Sequence, residues 1–387
     1  MSRRGANRRR VVNRRPATIG MQNDTDKLPI RFTGDFFLWT ESSQMVFSWA
    51  EDDSGPLDER YHLFIATCEA VIKKEDFDYS KWQGNGRPRN SRISIAKAFL
   101  YKAVFNIPTT KELVRQLRST PRARLLCGWA EVCDIPSESG FCNANREFAE
   151  RGLTGKWFKE LVVENHGDVH VDAISYDSAP ISVRSKAANA KKSKVEIEPD
   201  QPIPPNDRLE RQLVQDAETS LAELPVECEW GQKIDPQGKK KQWRGGKCHI
   251  AVTPEGFPVA FKYTSASLHD SQVMIPLAKQ AMSRVGHYFD LADAAYDAEA
   301  IRTASIELGA VPIIDRNRRN SVDGAESMSP TAALVYKLRT SVERFFSHLL
   351  DSHGGRTVRV RTPAKVAQHL MYGILVIAIE QLMRMTC

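Results

Sequence analysis

No Cys-x-x-Cys pair occurs in this sequence. Its seven cysteines (Cys68, Cys127, Cys133, Cys142, Cys228, Cys248 and Cys387) are scattered and odd in number. That spacing excludes a thiolate zinc cage, argues against a disulfide framework, and fits a reducing cytosol. No apolar run follows the basic N-terminus, so nothing there has the form of a secretion signal. The longest apolar stretch, "LMYGILVIAIEQLM" (370–383), is short for a bilayer span and contains Glu380, which reads as a buried core helix with no role in a membrane. Acids are missing from residues 1–15, which hold seven arginines (Arg3, Arg4, Arg8, Arg9, Arg10, Arg14 and Arg15). Such a block cannot pack. Residues 1–28 therefore read as a disordered basic tail, either merely solvated or able to neutralise phosphates and release counterions.

What is present fits an ordinary folded chain. Hydrophobic residues make up 41% of 387, enough for a substantial core, and 55 basic against 48 acidic residues give a net charge of +7. That excess is compatible with a polyanionic partner without requiring one. Residues 29–165 are mostly helical in pattern. "SRISIAKAFLYKAVFN" has helical spacing and ends before Pro108; "TTKELVRQLRS" opens with a threonine cap; Ser137 caps a helix that closes at Gly152. Short helices with basic faces make a small helical domain, which serves either packing or DNA binding of helix-turn-helix type.

From residue 166 the period changes. "DVHVDAISYDSAPISV" alternates as a strand. Residues 184–242 are polar and read as an inserted loop with one short helix at 207–222. "HIAV" and "PVAFKY" flank the turn "TPEG" as a hairpin. A helix follows at about 270–285, then a strand at 287–292, a helix at 297–308, the strand "AVPIID", a long helix at 330–351 and a final helix at 363–384. This α/β order, antiparallel first and then with parallel crossovers, predicts a ribonuclease H-like mixed sheet with flanking helices.

Three acids stand out by position: Asp177 in the first strand, Asp293 where "LADAAYDAEAIR" (291–302) turns from strand to helix, and Glu343 in the helix "YKLRTSVERFF". Carboxylates on neighbouring strands and a facing helix can converge on hard divalent cations, which take oxygen ligands and leave positions open for water and phosphate. Each acid has a plainer reading. Asp177 can be a turn residue, Asp293 a helix cap, and Glu343 a surface partner of Arg339 or Lys337. Asp172 competes with Asp177 as the first ligand.

On these residues the chain resembles the DDE transposases of bacterial insertion sequences. The resemblance covers about 90–385. It rests on "ISYDSAPIS" around Asp177, on Asp293, Tyr296 and Asp297, and on Tyr336, Arg339 and Glu343. The connecting segments hold Lys247, His249, His269 and Asp270, and "IPSESGFCNANREFAE" resembles the helical region that precedes the catalytic core in this family. One departure is Leu350, where the group often carries a lysine seven residues after the glutamate. The resemblance implies a catalytic set of Asp177, Asp293 and Glu343 that also holds Mg²⁺ or Mn²⁺, two ions in all. It implies double-stranded DNA as partner, both terminal inverted repeats and target, a homodimer on that DNA, and a cytoplasmic, nucleoid-associated location without a membrane. DNA contacts are expected from Arg339, Tyr336, Lys247, His249 and the arginines Arg316, Arg318 and Arg319 of "DRNRRN". The rival readings are a non-catalytic DNA-binding derivative and a nuclease that cuts without joining.

Overall fold

The computed structural model describes residues 56–80, 90–187, 207–234, 238–316 and 328–386. The arginine-rich tail, the start of the helical region, and Arg318 and Arg319 lie outside the described residues.

The first six helices are α1 (Glu59–Val71), α2 (Arg92–Val104), α3 (Thr110–Ser119), α4 (Pro121–Cys127), α5 (Glu138–Glu150) and α6 (Leu153–His166). Their starts follow the cap chemistry. The backbone N–H groups of Tyr61, Ser94, Glu112 and Gly140 donate to the side-chain oxygens of Asp58, Ser91, Thr109 and Ser137, satisfying donors that the first turn leaves without partners.

Next come β1 (His170–Ser182), α7 (Asp207–Val214), α8 (Ala217–Ala222), β2 (Glu229–Ile234), β3 (Lys240–Val252) and β4 (Pro258–Ser265). The polar segment at 184–242 is thus more than a loop with one helix. It supplies two short helices and a strand, and β2 pairs antiparallel with the start of β3. The chain continues through α9 (Ser271–Met282), β5 (Gly286–Ala292), α10 (Glu299–Glu307), β6 (Val311–Ile314), α11 (Pro330–Tyr336), α12 (Thr340–Ser352) and α13 (Pro363–Thr386).

The strands form one six-stranded mixed sheet. β1 lies between β3, antiparallel, and β5, parallel; β6 runs parallel beside β5; β2 and β4 share the far edge of β3. This is the mixed α/β architecture expected from the order of elements. Side chains alternate across a strand. Ala173, Leu291 and Ile313 therefore share one face, where residues of α11 cover them, including Tyr336. Asp177 shares the parity of Ala173 and lies on that face. β1 runs on past its pairing with β5, whose register ends at Ser175 opposite Leu291. Pro180 is accommodated there, on a stretch paired along one edge.

α13 is apolar all round in its middle, 370–379, with Leu370, Ile374, Leu375, Val376, Ala378, Ile379 and, further on, Leu382 wholly buried, the pattern of a helix enclosed by protein. It spans nearly the 363–384 expected. By length and composition it is able to cross a membrane, but 72% of its most apolar window is buried within the chain. It packs against α1, α2, α5, α6, α12 and β4, and one continuous apolar core runs from Tyr61 to Leu382.

Candidate active site

Parallel pairing of β1 with β5 decides which acids meet. Ser175 lies opposite Leu291, and two residues further along each strand stand Asp177 and Asp293. The expected long helix over 330–351 is in fact broken. α11 passes through a 3₁₀ turn at Lys337–Arg339 into α12, with the Ser341 and Ser175 hydroxyls 3.5 Å apart, buried between helix and sheet. This junction presents Arg339 and Glu343 to the strand ends.

Arg339 ties the three acids together. Its Nη2 lies 3.0 Å from Asp177 Oδ2 and 3.7 Å from Asp293 Oδ2, and its Nη1 lies 3.0 Å from Glu343 Oε1. Exposure rises from 13% for the Arg339 side chain and 21% for Asp177 to 41% for Asp293 and 61% for Glu343, so the cluster has a buried floor and an open rim. Burial pushes the Asp177 carboxyl up to about 6 and the charge of Asp293 adds to the rise, against the pull of Arg339, the Ser178 N–H and Lys233. Asp293 does two things at once. Oδ1 accepts from the Ala295 N–H at 2.9 Å, capping the 3₁₀ turn Ala294–Tyr296, while Oδ2 faces Arg339. Asp293 thus caps a 3₁₀ turn, not the helix that follows, and also takes part in the cluster.

Tyr296 is buried beneath the strand end at 2% exposure. Burial, and then the charges of Asp270, Asp177 and Asp293, drive its hydroxyl well above the ordinary range. Half-buried Tyr336 is also raised, chiefly by burial and then by the charges of Asp315, Asp293 and Asp177, against the pull of Arg339. Asp297 does not cap α10. Its Oδ1 accepts from Arg302 at 2.8 Å and lies 3.8 Å from Arg316 Nη1. Arg316 is more than half exposed at the rim.

Lys247 and His249 are placed elsewhere. They pair with Pro180 and Ser178, residues whose side chains leave the sheet on the face opposite Asp177. His249 is 1% exposed, its Nε2 is 2.9 Å from the Thr264 hydroxyl, and burial lowers it to about 4. It is a neutral core histidine and presents nothing to a DNA surface. Lys247 donates to the Leu268 carbonyl and to Asp270 at 2.9 Å. Asp172 is exposed, five residues back and so about 17 Å along the strand from Asp177, and its parity puts it on the other face.

Two further acids lie near the cluster: Asp270, which the sequence reading named only in a connecting segment, and Asp315, which it passed over. Asp270 precedes α9 and pairs with Lys247. Burial works against its ionisation, but His249 and Lys247 outweigh that and its carboxyl lies below the ordinary range. Asp315 ends β6, its N–H bonded to the Ala292 carbonyl. An apolar strand ending in aspartate, the signal that marked Asp293, is present in "VPIID" as well.

The family matches agree with this geometry. Residues 177–379, just over half of the chain, match the family described as "Transposase DDE domain", and residues 56–147 match "Transposase domain (DUF772)". No curated protein and no solved structure matches the chain. With Asp177 opening the longer match and Glu343 within it, the chain belongs to the DDE transposase family.

Proposed function

We propose that this transposase cuts and joins DNA at the ends of an insertion sequence, with Asp177, Asp293 and Glu343 as the carboxylates that hold divalent cations, Mg²⁺ or Mn²⁺, two in number. One observation carries the reading: acids from a central strand, the neighbouring strand end and a facing helix converge on a single guanidinium. The donor set is all oxygen, and three carboxylates exceed the one positive charge of Arg339, which suits hard divalent cations. DDE transposases normally use divalent metals. When bound, the cations supply Lewis acidity that activates a water or a 3′-hydroxyl and stabilises the leaving oxygen.

The chain's own residues do the rest. Arg339 holds the three carboxylates together against their mutual repulsion and orients Glu343. Asp177 has to be ionised to serve; burial opposes this in the metal-free chain, and a bound cation would favour it. Tyr336 and Tyr296 brace the strand ends. Arg316 binds phosphate at the rim, and Arg318 and Arg319 follow it in the sequence as further phosphate-binding candidates. Hydrolysis at the element's end frees a 3′-hydroxyl, which then attacks a target phosphodiester in line and displaces a new 3′-hydroxyl. Reactive ends are held by two copies of the chain on DNA, and the helical region at 56–166 takes part in recognising them.

The experiment mixes purified protein, DNA bearing the element's ends, a target plasmid and Mg²⁺ or Mn²⁺. The expected result is a joined product, lost by about three orders of magnitude or more in Asp293→Ala, as removal of an essential catalytic group demands. Nicks without joined product would make the chain a nuclease. End binding without cleavage, identical in Asp293→Ala, would make it a binding protein.

A further inference from the structure

A second cluster lies at the far end of α12, away from the three carboxylates. His348 in the last turns of α12, His353 just past its end and Glu380 on α13 bring two imidazoles and a carboxylate together. His353 Nε2 is 3.2 Å from His348 Nε2; Glu380 Oε2 is 3.3 Å from His348 Nε2 and 3.8 Å from His353 Nε2. Tetrahedral zinc bonds of 2.0–2.1 Å set donor–donor separations of roughly 3.3 Å; two of the three separations match this, and the 3.8 Å between His353 and Glu380 would have to close by about 0.5 Å.

Three further observations point to a ligand. The His353 side chain is only 5% exposed, and its Nδ1 faces the Ala103 carbonyl at 3.1 Å. Donation there fixes the tautomer that turns the Nε2 lone pair inward, as the outer contacts of metal-binding histidines do. Glu380 Oε1 accepts from Arg384 at 2.5 Å, whereas Oε2 is buried and faces the Nε2 atoms of His348 and His353 at 3.3 and 3.8 Å. A buried carboxylate oxygen is costly unless something positive meets it. Finally, a cleft of about 220 Å³ lined by His348, Gln381 and Arg384 opens on the His348 side of the cluster.

We infer that His348, His353 and Glu380 form a binding site for one transition-metal ion of the zinc class, with a fourth position open to the cleft. Two imidazoles select against Mg²⁺ and Ca²⁺, which take oxygen donors. The ion joins α12, the helix that carries Glu343, to α13, and through the Ala103 carbonyl to α2. The site is independent of the transposition chemistry and does not depend on it.

The test uses full-length protein freed of metal with chelator and loaded with Co²⁺ or Zn²⁺. The expected outcome is one equivalent retained through gel filtration, a visible cobalt spectrum of tetrahedral type without thiolate charge-transfer bands, and a higher melting temperature. Asp293→Asn keeps all three. His348→Gln and Glu380→Gln lose at least tenfold in affinity, in the range seen when a ligand or its support is removed, and no longer gain melting temperature from the metal. If His348→Gln fails to fold by circular dichroism, Glu380→Gln decides. Metal retained equally in the folded variants, or lost in Asp293→Asn, or no tetrahedral cobalt spectrum in the wild type, would each overturn the assignment.

Discussion

At the scale of single residues, Asp177 is the most revealing. Its carboxyl ionises near 6 in the folded chain, against 3.8 ordinarily, chiefly because it is buried. The folded state thus holds this proton more tightly than the unfolded state. Folding costs nothing extra below pH 3.8, where both states are protonated; the cost grows from 3.8 to 6 and is complete above 6. At 1.36 kcal/mol per pH unit, that displacement is worth roughly 3 kcal/mol. Metal-free Asp177→Asn is therefore expected to unfold at a higher urea concentration than the parent at pH 7.5, and the advantage should shrink markedly at pH 4.5. Equal advantages at both pH values would contradict a raised carboxyl. The three acids were legible in the sequence because each sits at a diagnostic place on its element. The fate of His249 was not. Alternation says that Lys247 and His249 share a face, but which face is buried depends on the pairing of β3 with β1, and that pairing is set by residues about 70 positions apart.

At the scale of elements, the helices after β4, the hairpin and both parallel strands were readable from period and punctuation, whereas α4 and α6 were not. The 3₁₀ turn between α11 and α12 was not, because its apolar spacing continues that of the helices on either side. β2 was hidden for another reason: an exposed edge strand such as "EWGQKI" lacks the apolar face that marks a strand. The crossing of α12 with α13 shows how tightly the elements are fitted. A Cβ on Gly373 would stand 2.7 Å from the His353 carbonyl oxygen and 2.9 Å from Leu349 Cδ1. Alanine gains about 1 kcal/mol in helix propensity over glycine, but overpacking a fitted interface costs about 1–3 kcal/mol, and here a backbone atom has to move. Gly373→Ala is predicted to lower stability by about 1 kcal/mol net, seen as a lower urea midpoint. A higher midpoint would show that α12 yields easily.

At the scale of the whole molecule, the helical region and the sheet share one apolar core, and α13 lies where they meet. Leu370, Ile374 and Ile377 have no exposure to lose, so their partners cannot be left bare without a large hydrophobic penalty. A fragment of residues 166–387 is expected to be aggregated or unfolded, whereas the full chain melts in one cooperative transition of its described part. A soluble fragment with sharp melting would show that the sheet stands by itself. None of this follows from composition, because α13 reads as a buried helix in the sequence without any sign of what buries it.

The position of α13 in the core also bears on how the protein is made. α13 leaves the ribosome about 300 residues after α1, yet it completes the core into which α1, α2, α5 and α6 pack. Until it emerges, those helices have an uncovered apolar face, and the strands that carry Asp177 and Asp293 are made before the helix that carries Glu343. The nascent chain therefore cannot bring Asp177, Asp293 and Glu343 together before α12 has followed both strands, and it covers the apolar faces of the helical region only once α13 has docked.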